Sequence, residues 1–378
     1  MRHTLGDDAD EDDVVYPQDN LKRSERQKTD KVFKREHRVE RFEMKHRLAA
    51  PSGSIFAPPD GDTGTNDMLS YLPATENFLG IPPDKSTNTA AIAIQPIPLE
   101  RTTSYGKGTK DGPREILRAS HYVEFYDDEF DRELCFERGI ATLEPLPLKK
   151  LPIEEALALV EARASAILQA GKFCVGLGGE HSITAPLVRA HAQKVPDLTI
   201  LQFDAHADLR IEYDGTPYSH ACVMARIAEF LDPSRITQVG IRALSKEEAS
   251  FIRSAGVRTF FAHAIRRGDA QWMDRVLEGL SEHVYITFDV DALDPSIMPA
   301  TGTPEPEGLT YSECIAIVKR LIETGRRIVG FDVVELAPIK KLHHPNLTAA
   351  RLVYKLLNLA FAHDRSGKRA SRTRRIAR

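Results

Sequence analysis

Leu198-Thr-Ile-Leu-Gln-Phe-Asp-Ala-His-Ala-Asp208 begins as a mostly apolar run and breaks abruptly into ionisable residues. Its first six residues predict a buried strand, because apolar side chains follow one another instead of alternating with polar ones. The next five put Asp204, His206 and Asp208 on alternate positions. Alternate residues of an extended segment point the same way, so the three converge on one point if the strand overruns its end. Three ionisable groups beside an apolar strand lack solvation unless something pairs them.

Working outward, similar apolar, β-branched runs lie at 91–94, 173–177, 236–241, 257–261, 284–288 and 327–331. Between most of them are helical patterns at 153–170, 181–193, 220–231, 246–255, 271–282, 311–323 and 346–362. Apolar strands separated by amphipathic helices predict an α/β fold in three layers, with a mainly parallel central sheet flanked by helices. No internal repeat or linker interrupts this region, which predicts one domain over 76–364.

In such sheets ligands bind beyond the carboxyl ends of the strands. The polar clusters sit there: Gly178-Gly179-Glu180-His181 follows one run, and Asp289-Val290-Asp291 ends another. A lone D-x-D at a strand end is often a turn or a cap; three clusters, each at a strand end, are harder to explain structurally. Together they supply two imidazoles, His181 and His206, and four carboxylates, Asp204, Asp208, Asp289 and Asp291. Oxygen ligands with a little imidazole suit Mn²⁺, with Ni²⁺, Co²⁺ or Fe²⁺ as alternatives. Four carboxylates balance two divalent ions, whereas one ion leaves excess negative charge. Two metals sharing carboxylates hold a water, lower its pKa and orient it as a nucleophile. Asp294, a few residues on, is expected to cap or support the ligand loop, and His121, His263, His343 and His344 carry no spacing signal.

The rest of the sequence sets limits. A net charge of -4 over 378 residues gives no global field for nucleic acid. Cys135, Cys174, Cys222 and Cys314 lie far apart and form no C-x-x-C pair, against a disulfide framework or thiolate site. No apolar run approaches the ~20 residues of a membrane span, and the acidic start is unlike a signal peptide, so a cytoplasmic setting is expected. Residues 1–75 hold an acid block, a basic stretch and a Pro/Gly/Ser-rich segment, expected to be a partly disordered or surface-lying extension. Residues 365–378 are basic without interleaved aromatics, expected to be a solvated tail.

These segments resemble the ureohydrolase family of arginases, agmatinases and their relatives. The resemblance rests on Gly178-Gly-Glu-His181, Asp204-Ala-His-Ala-Asp208, Phe288-Asp-Val-Asp-Ala-Leu-Asp-Pro-Ser-Ile-Met-Pro-Ala-Thr-Gly-Thr-Pro304, Gly330-Phe-Asp-Val-Val-Glu335 and Thr102-Thr-Ser-Tyr-Gly-Lys-Gly-Thr-Lys-Asp-Gly-Pro113. It covers about 88–362 and implies an arginase-like fold. It implies that Asp204 and Asp289 bridge two metals, that His181 and Asp208 complete one shell, and that His206 and Asp291 complete the other. It implies that His220 shuttles a proton to the leaving amine and that Glu335 grips the guanidinium, with Thr303 also at the substrate. A homo-oligomer, trimeric or hexameric, is what the family implies.

The substrate reading comes from Leu209-Arg-Ile-Glu-Tyr-Asp-Gly-Thr-Pro-Tyr-Ser219, which looks more like agmatinases than the Ser/Thr/Asn-rich loop of arginases. Agmatine ends in a cationic amine, which Glu212 or Asp214 can pair with, while both acids repel a substrate carboxylate. The expected reaction is therefore release of urea from agmatine by a binuclear-metal hydrolase. A nickel-dependent guanidine hydrolase is the alternative, then a guanidinobutyrase with Arg210 serving the carboxylate. A catalytically silent metal-binding homologue is the reading outside this class, and every expected ligand being present weighs against it.

Overall fold

The computed structural model describes residues 69–268 and 271–365. The expected extension over 1–68 and the basic tail over 366–378 lie outside the described residues. Residues 69–72, assigned by sequence to the extension, already pair with the domain: Leu72 N–H donates to the Thr142 carbonyl at 2.8 Å, and Glu144 N–H to that of Ser70 at 2.9 Å.

Eight strands form one sheet: β1 (Ile92–Ile97), β2 (Ile140–Thr142), β3 (Phe173–Gly178), β4 (Thr199–Phe203), β5 (Ile236–Ile241), β6 (Arg258–Phe261), β7 (His283–Asp289) and β8 (Arg327–Val334). Their spatial order is β2-β1-β3-β8-β7-β4-β5-β6, and every neighbouring pair is parallel. The sheet is fully parallel where a mainly parallel one was expected.

Helices cover both faces, as continuous apolar strands require. Gly112–Ser120, Trp272–Glu278, Tyr311–Glu323 and His344–Ala360 bury their apolar stripes with Ile92, Val175, Leu201, Phe288 and Phe331. Ile153–Gln169, Thr184–Ala192, Val223–Ala228 and Lys246–Ala255 do the same with Ala93, Cys174, Ile200, Ile236 and Tyr285. Successive strand residues serve opposite layers: Ile286 and Phe288 face the first, Tyr285 the second. Helix starts follow local chemistry. Ser245 with Glu248, and Thr310 with Glu313, form capping boxes that satisfy first-turn N–H groups.

Two expected helices begin later than the pattern implied. His181–Ile183 and His220–Cys222 are single 3-10 turns ahead of the α-helices, so both histidines stand at tight corners. The patterns also gave no sign of β2 or of Gly112–Ser120. A sharp steric demand near the site is at Gly179. A Cβ there would sit 2.0 Å from the Leu99 carbonyl oxygen, so only glycine lets the exit of β3 run against the segment after β1.

Candidate metal centre and active site

Strands β3, β8, β7 and β4 are neighbours in the sheet and carry the site at their carboxyl ends. The chain passes from β3 to β4 across the positions that β8 and β7 fill later, so the site lies where the connection changes direction.

Two groups of ligand atoms form there. His181 Nδ1 lies 3.1 Å from Asp204 Oδ2, 3.0 Å from Asp208 Oδ2 and 3.4 Å from Asp289 Oδ2. His206 Nδ1 lies 3.0 Å from Asp291 Oδ2 and 3.7 Å from Asp204 Oδ1. Asp204 belongs to both groups, with one oxygen in each. Asp289 faces the first group with Oδ2, while its other oxygen accepts the N–H of Asp291, a member of the second, at 2.9 Å. Further backbone bonds hold the carboxylates: the His206 N–H donates to Asp204 Oδ1 at 2.6 Å and the Ala205 N–H to Asp291 Oδ1 at 3.0 Å.

One expectation is corrected here. Asp204, His206 and Asp208 do not converge on one point from an overrunning strand. β4 stops at Phe203, and Asp208 takes a left-handed φ of 54°, uncommon for a residue with a side chain. The chain therefore bends between the ligands, and His206 and Asp208 serve opposite sides of Asp204.

The donor set fits divalent cations on an independent observation. His181 Nε2 lies 2.9 Å from Thr287 Oγ1, whose hydroxyl donates to Asp332 Oδ1 at 2.7 Å, while Tyr285 donates to Asp332 Oδ2 at 2.8 Å. With its hydrogen committed to Asp332, the Thr287 oxygen accepts from the imidazole, so the neutral ring is protonated on Nε2. That leaves the buried Nδ1 lone pair without a hydrogen-bond partner, aimed at three carboxylate oxygens. A cation satisfies all four atoms at once, and the Thr287–Asp332 support is the outer arrangement metal-bound imidazoles use.

Electrostatics agree. Burial, then the neighbouring Asp204, pushes Asp208 up to about 7. Burial also raises Asp289 well above the carboxylate range, with Asp291 and Asp204 adding to it. At His206 burial favours the neutral ring, but Asp291 and Asp204 outweigh it and push the group up to about 12. At Asp204 burial raises the carboxyl, but the surrounding acids favour the protonated form of His181 as of His206, and in that form the two rings outweigh burial and hold Asp204 low. The acids resist charging together unless positive charge sits among them.

The other expected residues fall around this cluster. Glu335, at the end of β8, is buried with φ 65° and accepts the His181 N–H on Oε1 at 2.6 Å. Burial raises its pKa, with Glu180 adding to the effect. Gly302 lies beside it: a Cβ there would be 3.9 Å from Glu335 Oε2. Thr303 follows on the same segment and is half-buried. His220 is half-buried, and burial lowers its pKa despite an opposing Glu180. Glu212 and Asp214 are exposed. They flank Tyr213, whose ring meets His220 edge-on at 6.2 Å. Asp214 and Gly215 have φ 49° and 77° inside a reciprocal Tyr213–Thr216 backbone pair, a two-residue turn that accounts for the Asp-Gly sequence. Arg210 spans Tyr213 at 5.1 Å and Glu248 at 3.8 Å. Asp294 accepts from Ser296 and Gly308.

Sequence reasoning passed over Glu180, Thr102, Thr287, Asp332 and Thr301. An acid inside the apolar run Ile328-Val-Gly-Phe-Asp-Val-Val334 was the available signal for Asp332. Thr301 Oγ1 is buried without a partner beside the Glu335 segment, through the Thr301–Leu336 bridge.

Comparison with known proteins follows the same lines. Residues 90–358 match the arginase family. The chain is 37% identical over 274 residues to the N(1)-aminopropylagmatine ureohydrolase of Synechocystis sp., covering 71% of this chain and 88% of that one. It is 33% identical over 270 residues to the agmatinase of Bacillus subtilis, covering 70% and 90%. The crystal structure of agmatine ureohydrolase of Thermoplasma volcanium superposes with a TM-score of 0.66 at 30% identity, covering 82% of this chain and 97% of that chain. That family is binuclear-metal dependent, and the His181 and His206 groups are ones that could hold metal. The chain belongs to the arginase family and is a ureohydrolase acting on a linear guanidino compound.

Proposed function

We propose that the protein releases urea from agmatine, with two divalent ions that would be held by His181 and Asp208 on one side, His206 and Asp291 on the other, and Asp204 and Asp289 between them. The observation that carries this reading is a buried carboxylate, Glu335, bonded to a metal-ligand backbone, with Glu212 and Asp214 exposed on the loop that reaches His220. One end suits a guanidinium and the other a cationic amine.

A carboxylate meets the planar guanidinium with parallel charge-assisted hydrogen bonds. Burial raises the Glu335 carboxyl, and a guanidinium beside it favours the ionised form. Divalent ions at the cluster supply Lewis acidity and an activated water. Glu335 holds the guanidinium carbon facing that cluster, which turns a poor electrophile into a positioned one. An amide anion cannot leave, so His220 delivers a proton to the departing nitrogen. The lowered pKa of His220 keeps it neutral at neutral pH, able to take a proton and pass it on. Glu212 and Asp214 pair with the substrate's far amine.

A second reading is favoured by the Synechocystis relative, which acts on N(1)-aminopropylagmatine. That substrate is agmatine lengthened by an aminopropyl group, so it brings a further amine to the same acidic loop. Mn²⁺ is the first choice of metal and Ni²⁺ the second. The test is urea release from agmatine, N(1)-aminopropylagmatine, guanidine, 4-guanidinobutyrate and arginine, after separate reconstitution with Mn²⁺ and Ni²⁺. Urea from agmatine above all others supports the proposal; preference for the aminopropyl compound moves it to the second reading. Urea from guanidine alone refutes both.

A further inference from the structure

The hydroxyl of Thr102 sits at the centre of three contacts. It lies 2.9 Å from the His220 backbone nitrogen, 3.1 Å from His220 Nδ1 and 3.0 Å from Glu180 Oε1. A hydroxyl has one hydrogen to give and two lone pairs to receive with. The carboxylate only accepts, so the hydrogen goes to Glu180. The backbone N–H only donates, so it takes one lone pair. The remaining lone pair faces Nδ1, and the contact is attractive only if Nδ1 carries hydrogen. Ser219 Oγ, 3.3 Å from the same nitrogen, is the neighbour able to donate to it in the other tautomer. The shorter Thr102 contact, with its own hydrogen already committed, works against that alternative.

Glu180 is itself fixed. It is fully buried, and it accepts four hydrogen bonds, from the Arg101 N–H at 2.5 Å, the Thr102 N–H at 2.8 Å, the Ser182 hydroxyl at 2.7 Å and Thr102 Oγ1. The chain Glu180–Thr102–His220 therefore ties the exit of β3, the segment after β1 and the corner before Val223–Ala228 into one unit. We propose that Thr102 and Glu180 are positioning residues that hold His220 protonated on Nδ1, leaving Nε2 as the nitrogen that exchanges protons with the substrate. The tautomer follows from contacts alone; its use in turnover rests on the role given to His220 above.

The experiment uses full-length protein with ¹⁵N-labelled histidine, loaded with diamagnetic Zn²⁺, and a His220→Gln sample to identify the signal. Wild type is expected to show His220 protonated on Nδ1. Thr102→Val, near-isosteric but without the hydroxyl, is expected to lose that pattern, and Thr102→Ser to keep it. In the Mn²⁺- or Ni²⁺-loaded enzyme, kcat of Thr102→Val should fall ~10- to 100-fold, the cost of a misaimed catalytic group. KM and bound metal should stay unchanged, and Thr102→Ser should recover most of the rate. His220 protonated on Nε2 in wild type, or a Thr102→Val spectrum identical to wild type, overturns the proposal. If Thr102→Val does not fold, the wild-type spectrum and Glu180→Gln decide it in the same way. An altered tautomer with unchanged kcat upholds the positioning and removes His220 from the proposed mechanism.

Discussion

Replacing Thr287 with valine isolates the support behind one metal. The side chains are nearly the same shape, so no cavity opens, and the change reduces to a lost hydroxyl. The two nearest of three buried partners lose it: the His181 Nε2–H, 2.9 Å away, and Asp332 Oδ1, 2.7 Å away, with the Thr184 hydroxyl at 3.3 Å the third. Each unpaired buried group costs about 1–3 kcal/mol, giving roughly 2–6 kcal/mol of lost stability. Asp332, already pushed up to about 6 by burial and held down in part by Thr287, becomes still easier to protonate. Without its acceptor the His181 ring is no longer pinned with Nδ1 toward Asp204, Asp208 and Asp289. Loss of such outer support weakens metal binding by about 10- to 100-fold. The effect is local to the ion on the His181 side, because His206 and Asp291 do not use Thr287. Equilibrium dialysis against graded Mn²⁺, with metal counted by mass spectrometry, should show one ion binding as in wild type and the other shifted by that factor. Two ions titrating as in wild type would refute the reasoning, as would a urea-unfolding midpoint that does not move.

Other outcomes follow from the same geometry. Gly179→Ala puts a Cβ against the Leu99 carbonyl oxygen and should cost at least about 1–3 kcal/mol; a melting temperature equal to wild type would contradict the close approach. Glu335→Gln keeps the size and the His181 N–H acceptor but loses the charge, so kcat/KM for the guanidino substrate should drop about 10- to 100-fold with both metals retained; unchanged kcat/KM removes Glu335 from binding. Chelator-treated protein should lose stability as pH rises from about 5 to 8. Asp208 at about 7 lies above its ordinary value near ~3.9, so its contribution is complete below that value and is lost as pH approaches 7. His206 at about 12 lies above ~6.5, so its contribution is complete below that value and declines above it. Asp204, held low, acts in the opposite sense only below about pH 4. Denaturant titrations that find the chelated protein more stable at pH 8 than at pH 5 would count against this balance.

The architecture was readable because β-branched apolar runs and 3.6-residue periodicity report burial directly. Lys246–Ala255 and Tyr311–Glu323 match the sequence patterns end to end, since capping boxes and Gly256 mark their limits. β2, at three residues, is too short to carry a pattern. The ligand types were legible because ionisable residues at strand ends are conspicuous. Their division into two groups came only through the family resemblance and not from the local pattern, since it depends on the left-handed turn at Asp208. Thr102 and Glu180 were beyond reach for another reason: they are 78 positions apart, and although Glu180 precedes His181, nothing in the local pattern links it to Thr102. Contacts of that range come from sheet order, which local pattern does not encode. Asp214 carries two demands at once, since the Asp-Gly turn accounts for its backbone and leaves its carboxylate exposed.

The order of the strands sets a schedule. β3 and β4 bring His181, Asp204, His206 and Asp208, yet they never touch, because β8 and β7 stand between them. Those two strands are made last, and β8 pairs Gly330 with Cys174 across most of the domain. A chain still emerging from the ribosome at residue 280 has two of the three ligand clusters and no wall to hold them apart. The residues carried by β3 and β4 therefore take up their spacing only once β7 and β8 fill the middle of the sheet. Such long-range closure also makes for slow folding.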